Sequence, residues 1–152
     1  MERPMELKRK KILVGVGLLS FVFLLVVFGP SGIYYSTSTP DYCGSCHVMD
    51  DKHEQWFLSG LHRNITCVDC HLPNNNFANH MLWKGIDGMK DFLYFHLAIF
   101  SEPIEITGHG KNTVRKNCIR CHGEMVSLID NERNCWECHR RVNHRITPVA
   151  HK

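Results

Sequence analysis

The sequence predicts a mainly α-helical protein with much irregular structure: one N-terminal transmembrane helix followed by a small extramembrane domain. Three observations predict it. A long apolar run follows a basic N-terminus. No segment shows the period-two alternation of a half-buried strand. The longest regular segment, Phe77–Phe100, places Phe77, Met81, Ile86, Met89, Phe92, Leu93, Leu97 and Phe100 at helical spacings.

Residues 1–11 form a basic tail with Arg3, Lys8, Arg9, Lys10 and Lys11. Ile12–Phe28 is apolar apart from Gly15, Gly17 and Ser20. Extended through Gly29–Tyr35 it reaches roughly 20 residues, enough to span a bilayer, so residues 12–35 read as the anchor. The basic tail keeps the N-terminus cytoplasmic, and Tyr34 and Tyr35 fall where an aromatic belt would lie on the far side. The competing reading is a cleaved secretory signal. It is disfavoured by the length of the apolar run and by the proline in Gly29-Pro30-Ser31-Gly32, the nearest cleavage candidate. Both readings send residues 36–152 across the membrane. The net charge of +3 sits largely in the N-terminal tail and gives no reason to expect a nucleic-acid partner.

A polar linker, Thr37–Pro40, leads into the first of four Cys-x-x-Cys-His motifs: Cys43–His47, Cys67–His71, Cys118–His122 and Cys135–His139. Together they use all eight cysteines, paired as Cys43 with Cys46, Cys67 with Cys70, Cys118 with Cys121 and Cys135 with Cys138. This is the attachment signature of c-type haem, in which the two thiols of each pair form thioethers and the adjacent imidazole ligates the iron. Structural zinc is the competing reading, because paired Cys-x-x-Cys spacings also make zinc ribbons. A ribbon needs no histidine after each second cysteine. With 11 histidines in 152 residues, four such coincidences have a chance of roughly 3 in 100,000. Disulfides leave the histidines equally unexplained. Four covalent haem c groups imply an electron carrier, and covalent attachment in bacteria places residues 36–152 in the periplasm, on the outer face of the inner membrane.

The helix expected over Phe77–Phe100 is closed by Ser101-Glu102-Pro103, and another is expected over Asn112–Cys118. Trp83, Phe92, Tyr94, Phe95 and Phe100 suit either the membrane interface or packing on haem faces. About 115 residues beyond the anchor cannot build much aliphatic core. The haems must supply the interior.

Each motif histidine fills one axial position, and seven histidines remain as candidates for the others. His144, five residues beyond His139, ranks first; His62, just before the second motif, ranks next. His53, His80, His96, His109 and His151 rank lower. Met49, two residues past His47, could replace it on the first iron, although spacing alone favours packing. Lys84 and Asp91 are seven apart and share a helix face with Asp87 close by. Spacing alone reads them as a solvated charged face.

Through the Cys43–Met49 pattern, the Trp83-Lys84-Gly85…Lys90-Asp91 stretch and the His139…His144 spacing, the chain resembles the NapC/NirT family of membrane-anchored tetrahaem quinol dehydrogenases. Within it the likeness is to the small subunits of cytochrome c nitrite reductase complexes. The resemblance covers nearly the whole chain. It implies that Met49, not His47, ligates the first iron, with Asp91 on the distal side of that haem and Lys84 lining a menaquinol pocket. His71, His122 and His139 then ligate irons 2, 3 and 4. His144 is implied as the distal ligand of haem 2 and His62 of haem 3, with a lysine from the catalytic subunit completing haem 4. The implied function is menaquinol oxidation with electron transfer to a multihaem nitrite reductase subunit, the chain having no nitrite-reducing site of its own. The rivals are a NapC- or CymA-like hub feeding a nitrate reductase or several periplasmic acceptors, a stand-alone haem enzyme and a zinc-binding membrane protein.

Overall fold

The computed structural model describes residues 3–101, 104–129 and 133–144. His151, Glu102, Pro103 and the tail beyond His144 lie outside them. Among the described residues every regular element is helical.

Helix α1 (Arg3–Phe28) begins within the basic tail rather than at the apolar run. The stretch Glu6–Ser36 is long and apolar enough to cross a membrane; its apolar 18-residue window has a mean hydropathy of 2.8, and none of that window is buried against the protein. A core helix of this composition would be covered. Pro30 stops α1, because the residue before a proline is driven out of the helical region. The turn that follows needs glycine: a Cβ on Gly32 would meet the Val27 carbonyl oxygen at 2.7 Å and that of Gly29 at 2.9 Å. The chain folds back into α2 (Ile33–Ser36). Phe28, Tyr34 and Phe77 then form an aromatic cluster, with ring centroids 6.1 to 6.4 Å apart, that ties the anchor to the rest of the fold.

Helix α3 (Pro40–Cys43), with Pro40 at its first turn and Thr39 as N-cap, delivers the first motif. Cys46, in extended backbone, then caps a 3-10 turn over His47–Met49. Helix α4 (Asp50–Phe57) carries Asp50 and Asp51 in its first turn, where they oppose the helix dipole. A 3-10 turn at Gly60–Asn64 carries His62. Helix α5 (Cys67–His71) is the second motif itself, closed at its start by a Thr66/Asp69 capping box.

Helix α6 runs Phe77–His96, ending before the expected Phe100. Ala98 adopts a left-handed conformation, φ 51°. The Ile99 N–H donates to the Tyr94 carbonyl and the Ala98 N–H to that of Phe95. This is the hydrogen-bond pattern of a Schellman stop. Along α6, Leu82, Ile86, Met89 and Leu93 are exposed, whereas Trp83 turns inward and stacks on His109 at 3.6 Å between centroids. Helix α7 (Gly108–His122) extends beyond the expected segment at both ends and contains the third motif. Helix α8 (Cys135–Cys138) holds the fourth, again behind a capping box, Asn134/Glu137, and a 3-10 turn at Arg140–Asn143 follows.

The protein atoms alone do not close a core. The chain exposes 12603 Å², against about 7,900 Å² for a folded monomer of its mass. The bare membrane helix accounts for part of the excess. Even so, Leu72 is the single buried apolar residue among those described. The interior needs another apolar body to fill it.

Candidate functional site

All eight cysteines are free thiols, and among the described residues no three His, Cys, Asp or Glu side chains converge as a zinc ion requires. Thiols of different motifs meet instead. Cys43 and Cys67 lie close enough for each thiol to shift the other's ionisation, Cys135 acts likewise on Cys118, and Cys70 lies near Cys121. Cys46 and Cys138, the second cysteines of the first and fourth motifs, differ in setting. Cys46 is half-buried, and its carbonyl accepts the Met49 N–H at 2.8 Å, which closes the 3-10 turn. Cys138 is exposed at the end of α8.

Two imidazole pairs decide what fits between them. The rings of His71 and His144 stand 6.2 Å apart and within 23° of parallel. Those of His62 and His122 stand 6.1 Å apart at 44°. Nitrogens about 2 Å from a metal on opposite faces would put ring centroids roughly 6.3 Å apart. Each pair therefore has the separation of two imidazoles bracketing one iron. His144 Nδ1 is buried without a hydrogen-bond partner. Burial, with His71 and Lys52 adding to it, pushes the His144 pKa down to about 4. Burial likewise lowers that of His71, against the pull of Asp91 and Asp87. Both rings are held in the neutral form that ligates metal. Free thiol pairs, facing neutral imidazoles and an unfilled interior suit covalent haem.

His144 is positioned by a contact the sequence does not announce. Its own backbone is left-handed, φ 46°, and Lys52 Nζ donates to its carbonyl at 3.1 Å across 92 residues. Asn117 is a second such residue. It is buried, directly precedes the third motif, and donates through Nδ2 to the carbonyls of Cys70 (2.9 Å) and Leu72 (2.8 Å) at the end of the second. It thus locks α7 onto α5. Asn117→Leu removes the donor to the Cys70 carbonyl and leaves Leu72 with Asn74 alone; it is expected to lower stability by about 2 kcal/mol, read as a lower denaturant midpoint of the haem-loaded protein.

At the first motif, His47 is exposed and edge-on to Phe95 at 6.2 Å. Met49 is half-buried at the end of the 3-10 turn that Cys46 opens. Among the described residues no imidazole stands at the iron-spanning distance from His139. The other described histidines pack elsewhere in the fold, with the Nε2 atoms of His53 and His80 buried without a hydrogen-bond partner. His53 packs on Gly44, where a Cβ would come within 2.8 Å of its ring, and lies beside Trp56 at 5.3 Å. His96 Nδ1 lies 2.8 Å from the Phe92 carbonyl. His109 stacks on Trp83, and His80 is buried in α6.

Lys84 and Asp91 are brought to the same motif without pairing with each other; both act electrostatically on Cys43. Lys84 Nζ donates to the Thr37 carbonyl at 3.0 Å and to Ser38 Oγ at 2.7 Å, and lies 5.3 Å from the centroid of the Tyr34 ring. Burial lowers its pKa. The Asp91 carboxylate keeps 74 % of its side-chain surface, yet desolvation still pushes its pKa up, with Lys90 opposing and Asp87 adding. Lys90 reaches both acids, at 3.4 Å for Asp87 and 3.6 Å for Asp91. The result is an ammonium donor and a carboxylate of raised pKa near the first motif, close to the end of the membrane-spanning stretch.

Residues 5–109 match the NapC/NirT cytochrome c family, N-terminal region. The cytochrome c-type protein NrfH of Wolinella succinogenes is 31% identical over 91% of this chain and 89% of its own length. The cytochrome c nitrite reductase subunit NrfH of Nitratidesulfovibrio vulgaris is 34% identical over 93% and 89%. NapC of Escherichia coli is 21% identical over 72% and 70%. A solved structure, the cytochrome c nitrite reductase NrfHA complex bound to the inhibitor HQNO, aligns with a TM-score of 0.70 at 30% identity, covering 88% of this chain and 89% of that one. Anchored by a single membrane helix and bearing covalent haem c, the chain belongs to the NapC/NirT cytochrome c family.

Proposed function

We propose that the chain carries four haem c groups, oxidises menaquinol beside the first motif on the periplasmic side of the bacterial inner membrane, and passes the electrons to the catalytic subunit of a cytochrome c nitrite reductase. The thioether pairs are Cys43/Cys46, Cys67/Cys70, Cys118/Cys121 and Cys135/Cys138. The observation that carries the quinol reading is Lys84. It bridges the end of the membrane helix, at Thr37 and Ser38, to the surroundings of Cys43. A lipid-borne substrate leaving the bilayer there meets the first haem anchor at once.

Haem supplies one-electron chemistry when bound, and the protein does the rest. Quinol oxidation sheds two protons as well as two electrons, so a base must stand within hydrogen-bond reach of a hydroxyl. Asp91 is that base. Lys84, a donor without a lone pair, orients the ring by hydrogen-bonding a quinol oxygen. Met49 would hold the first iron in place of His47, and a thioether there would raise its potential relative to an imidazole, which would favour accepting electrons from quinol. His71 with His144, and His122 with His62, would hold the second and third irons. The closeness of motif 1 to motif 2 at Cys43 and Cys67, of 2 to 3 at Cys70 and Cys121, and of 3 to 4 at Cys118 and Cys135 supports an electron route in chain order.

His139 would hold the fourth iron, whose second ligand would be a lysine of an NrfA-like partner. A nitrite reductase partner is favoured over a NapC-like hub because the NrfH relatives match at 31% and 34% across nearly the whole chain, and NapC at 21% across less of it. Extraction from native membranes in mild detergent tests both points. The expected result is a chain mass increased by four haems and a co-purifying multihaem nitrite reductase subunit. Two haems, or a nitrate reductase in the eluate, would contradict the proposal.

A further inference from the structure

Helix α6 has two opposite faces. At about 100° per residue, Phe77, His80, Lys84, Asp87, Asp91 and Phe95 fall on one side, and Leu82, Ile86, Met89 and Leu93 on the other. The first face meets the rest of the protein. Phe77 lies 6.2 Å from Phe28, Lys84 reaches Thr37 and Ser38, and Phe95 sits 6.2 Å from His47. Asp87 and Asp91 act electrostatically on His71. The first two haem motifs are thus met from this side, across the helix from the aliphatic stripe.

The stripe itself is uncovered. Leu82 is 59% exposed, Ile86 46%, Met89 61% and Leu93 46%, against 52%, 52% and 53% for Leu24, Leu25 and Val26 of α1. It is as bare as the helix that lipid must cover. From Leu82 to Leu93 it runs about 17 Å along the axis and contains no titratable side chain. Lys90 flanks it on one edge and Phe92 on the other, the kinds of side chain that an interfacial helix carries at its rim.

We propose that this face of α6 is a second membrane contact. The helix lies in the bilayer surface beside the end of the anchor, with Leu82, Ile86, Met89 and Leu93 set into the boundary between headgroups and acyl chains. Lipid is favoured over a protein partner by continuity with the anchor. Tyr34 belongs to the stretch that crosses the membrane. Its ring lies 6.4 Å from that of Phe77, 6.2 Å from that of His80 and 5.3 Å from Lys84 Nζ. The first two turns of α6 are therefore held at the level where the chain leaves the bilayer. A face turned away from the protein at that level is turned towards lipid. An uncharged aliphatic stripe suits hydrocarbon, which offers no hydrogen-bond partner. The contact stands whether or not a quinol is the substrate.

The test uses the haem-loaded complex in liposomes containing a phospholipid with a diazirine in its acyl chain. On photolysis its carbene inserts into any side chain it meets. Peptide mass spectrometry is expected to find adducts on α1 and also on Leu82, Ile86, Met89 and Leu93, with the co-purifying partner present or stripped away. Asp87 and Phe95 should stay bare. Ile86→Glu combined with Met89→Glu should cut the α6 adducts about tenfold or more, leaving those on α1 and the haem spectrum unchanged. Ile86→Leu combined with Met89→Leu should keep both sets. An α6 free of adducts beside a labelled α1 would overturn the proposal. So would adducts that appear only once the partner is removed, or a stripe that cross-links chain to chain instead of to lipid.

Discussion

Replacing Asp91 by asparagine is expected to slow menaquinol-driven haem reduction by about 100-fold or more, the usual worth of a positioned base. Asparagine keeps the shape and a hydrogen bond to the quinol but cannot take its proton. Dithionite should reduce the haems of the variant as fast as those of wild type, since that route needs no deprotonation at the site. The pH profile carries a second signature. Desolvation and the neighbouring Asp87 raise the Asp91 pKa, with Lys90 only partly offsetting them. The base form is therefore lost, as pH falls, at higher pH than for an ordinary carboxylate. Wild-type rates should fall through that raised pKa and the asparagine variant should lack the step. An unchanged naphthoquinol rate in Asp91→Asn would remove the carboxylate from the mechanism.

Replacing His144 by alanine is expected to convert one haem of the four from low-spin to high-spin and to stall electron flow beyond the first. The ring stands 6.2 Å from that of His71, so on the proposed ligation its removal would free one position on the iron and leave His71 at the other. The first haem should still be reduced by quinol, while the later ones fill slowly. Added imidazole should enter the gap and restore the low-spin spectrum, which separates a lost ligand from a collapsed fold. Lys52→Met acts on the same ligand indirectly, through the 3.1 Å bond to the His144 carbonyl, and should give a partial version of the change. A fully low-spin spectrum in His144→Ala would reassign the ligand.

The attachment motifs were legible because their chemistry demands a fixed local spacing: two sulfurs and an imidazole must reach one cofactor from five consecutive residues. The apolar anchor and most of α6 were legible for the same reason, since length and periodicity are local. The end of α6 was not. It stops on a left-handed Ala98, where no glycine marks the turn. The α7 boundaries were hidden in the polar, glycine-containing Gly108–Asn112, whose helix start depends on Thr107 capping Gly110. The capping boxes at Thr66/Asp69 and Asn134/Glu137 stood in view one residue before their motifs, and are readable once a helix is expected there. What no local pattern carries is the set of long-range contacts that aim the site: Lys84 onto Thr37 and Ser38, Lys52 onto His144, and Asn117 onto Cys70 and Leu72. Their partners lie 45 to 92 residues away.

The central claim is that this chain is a conduit: quinol at one end, a nitrite-reducing partner at the other. Nitrite consumption by proteoliposomes supplied with menaquinol tests it most directly, with the chain alone, with the purified catalytic subunit alone, and with both. The account predicts nitrite turnover only when both are present, and its loss when Asp91→Asn replaces the wild-type chain. Nitrite turnover by the chain without its partner, or by the partner without the chain, would contradict it.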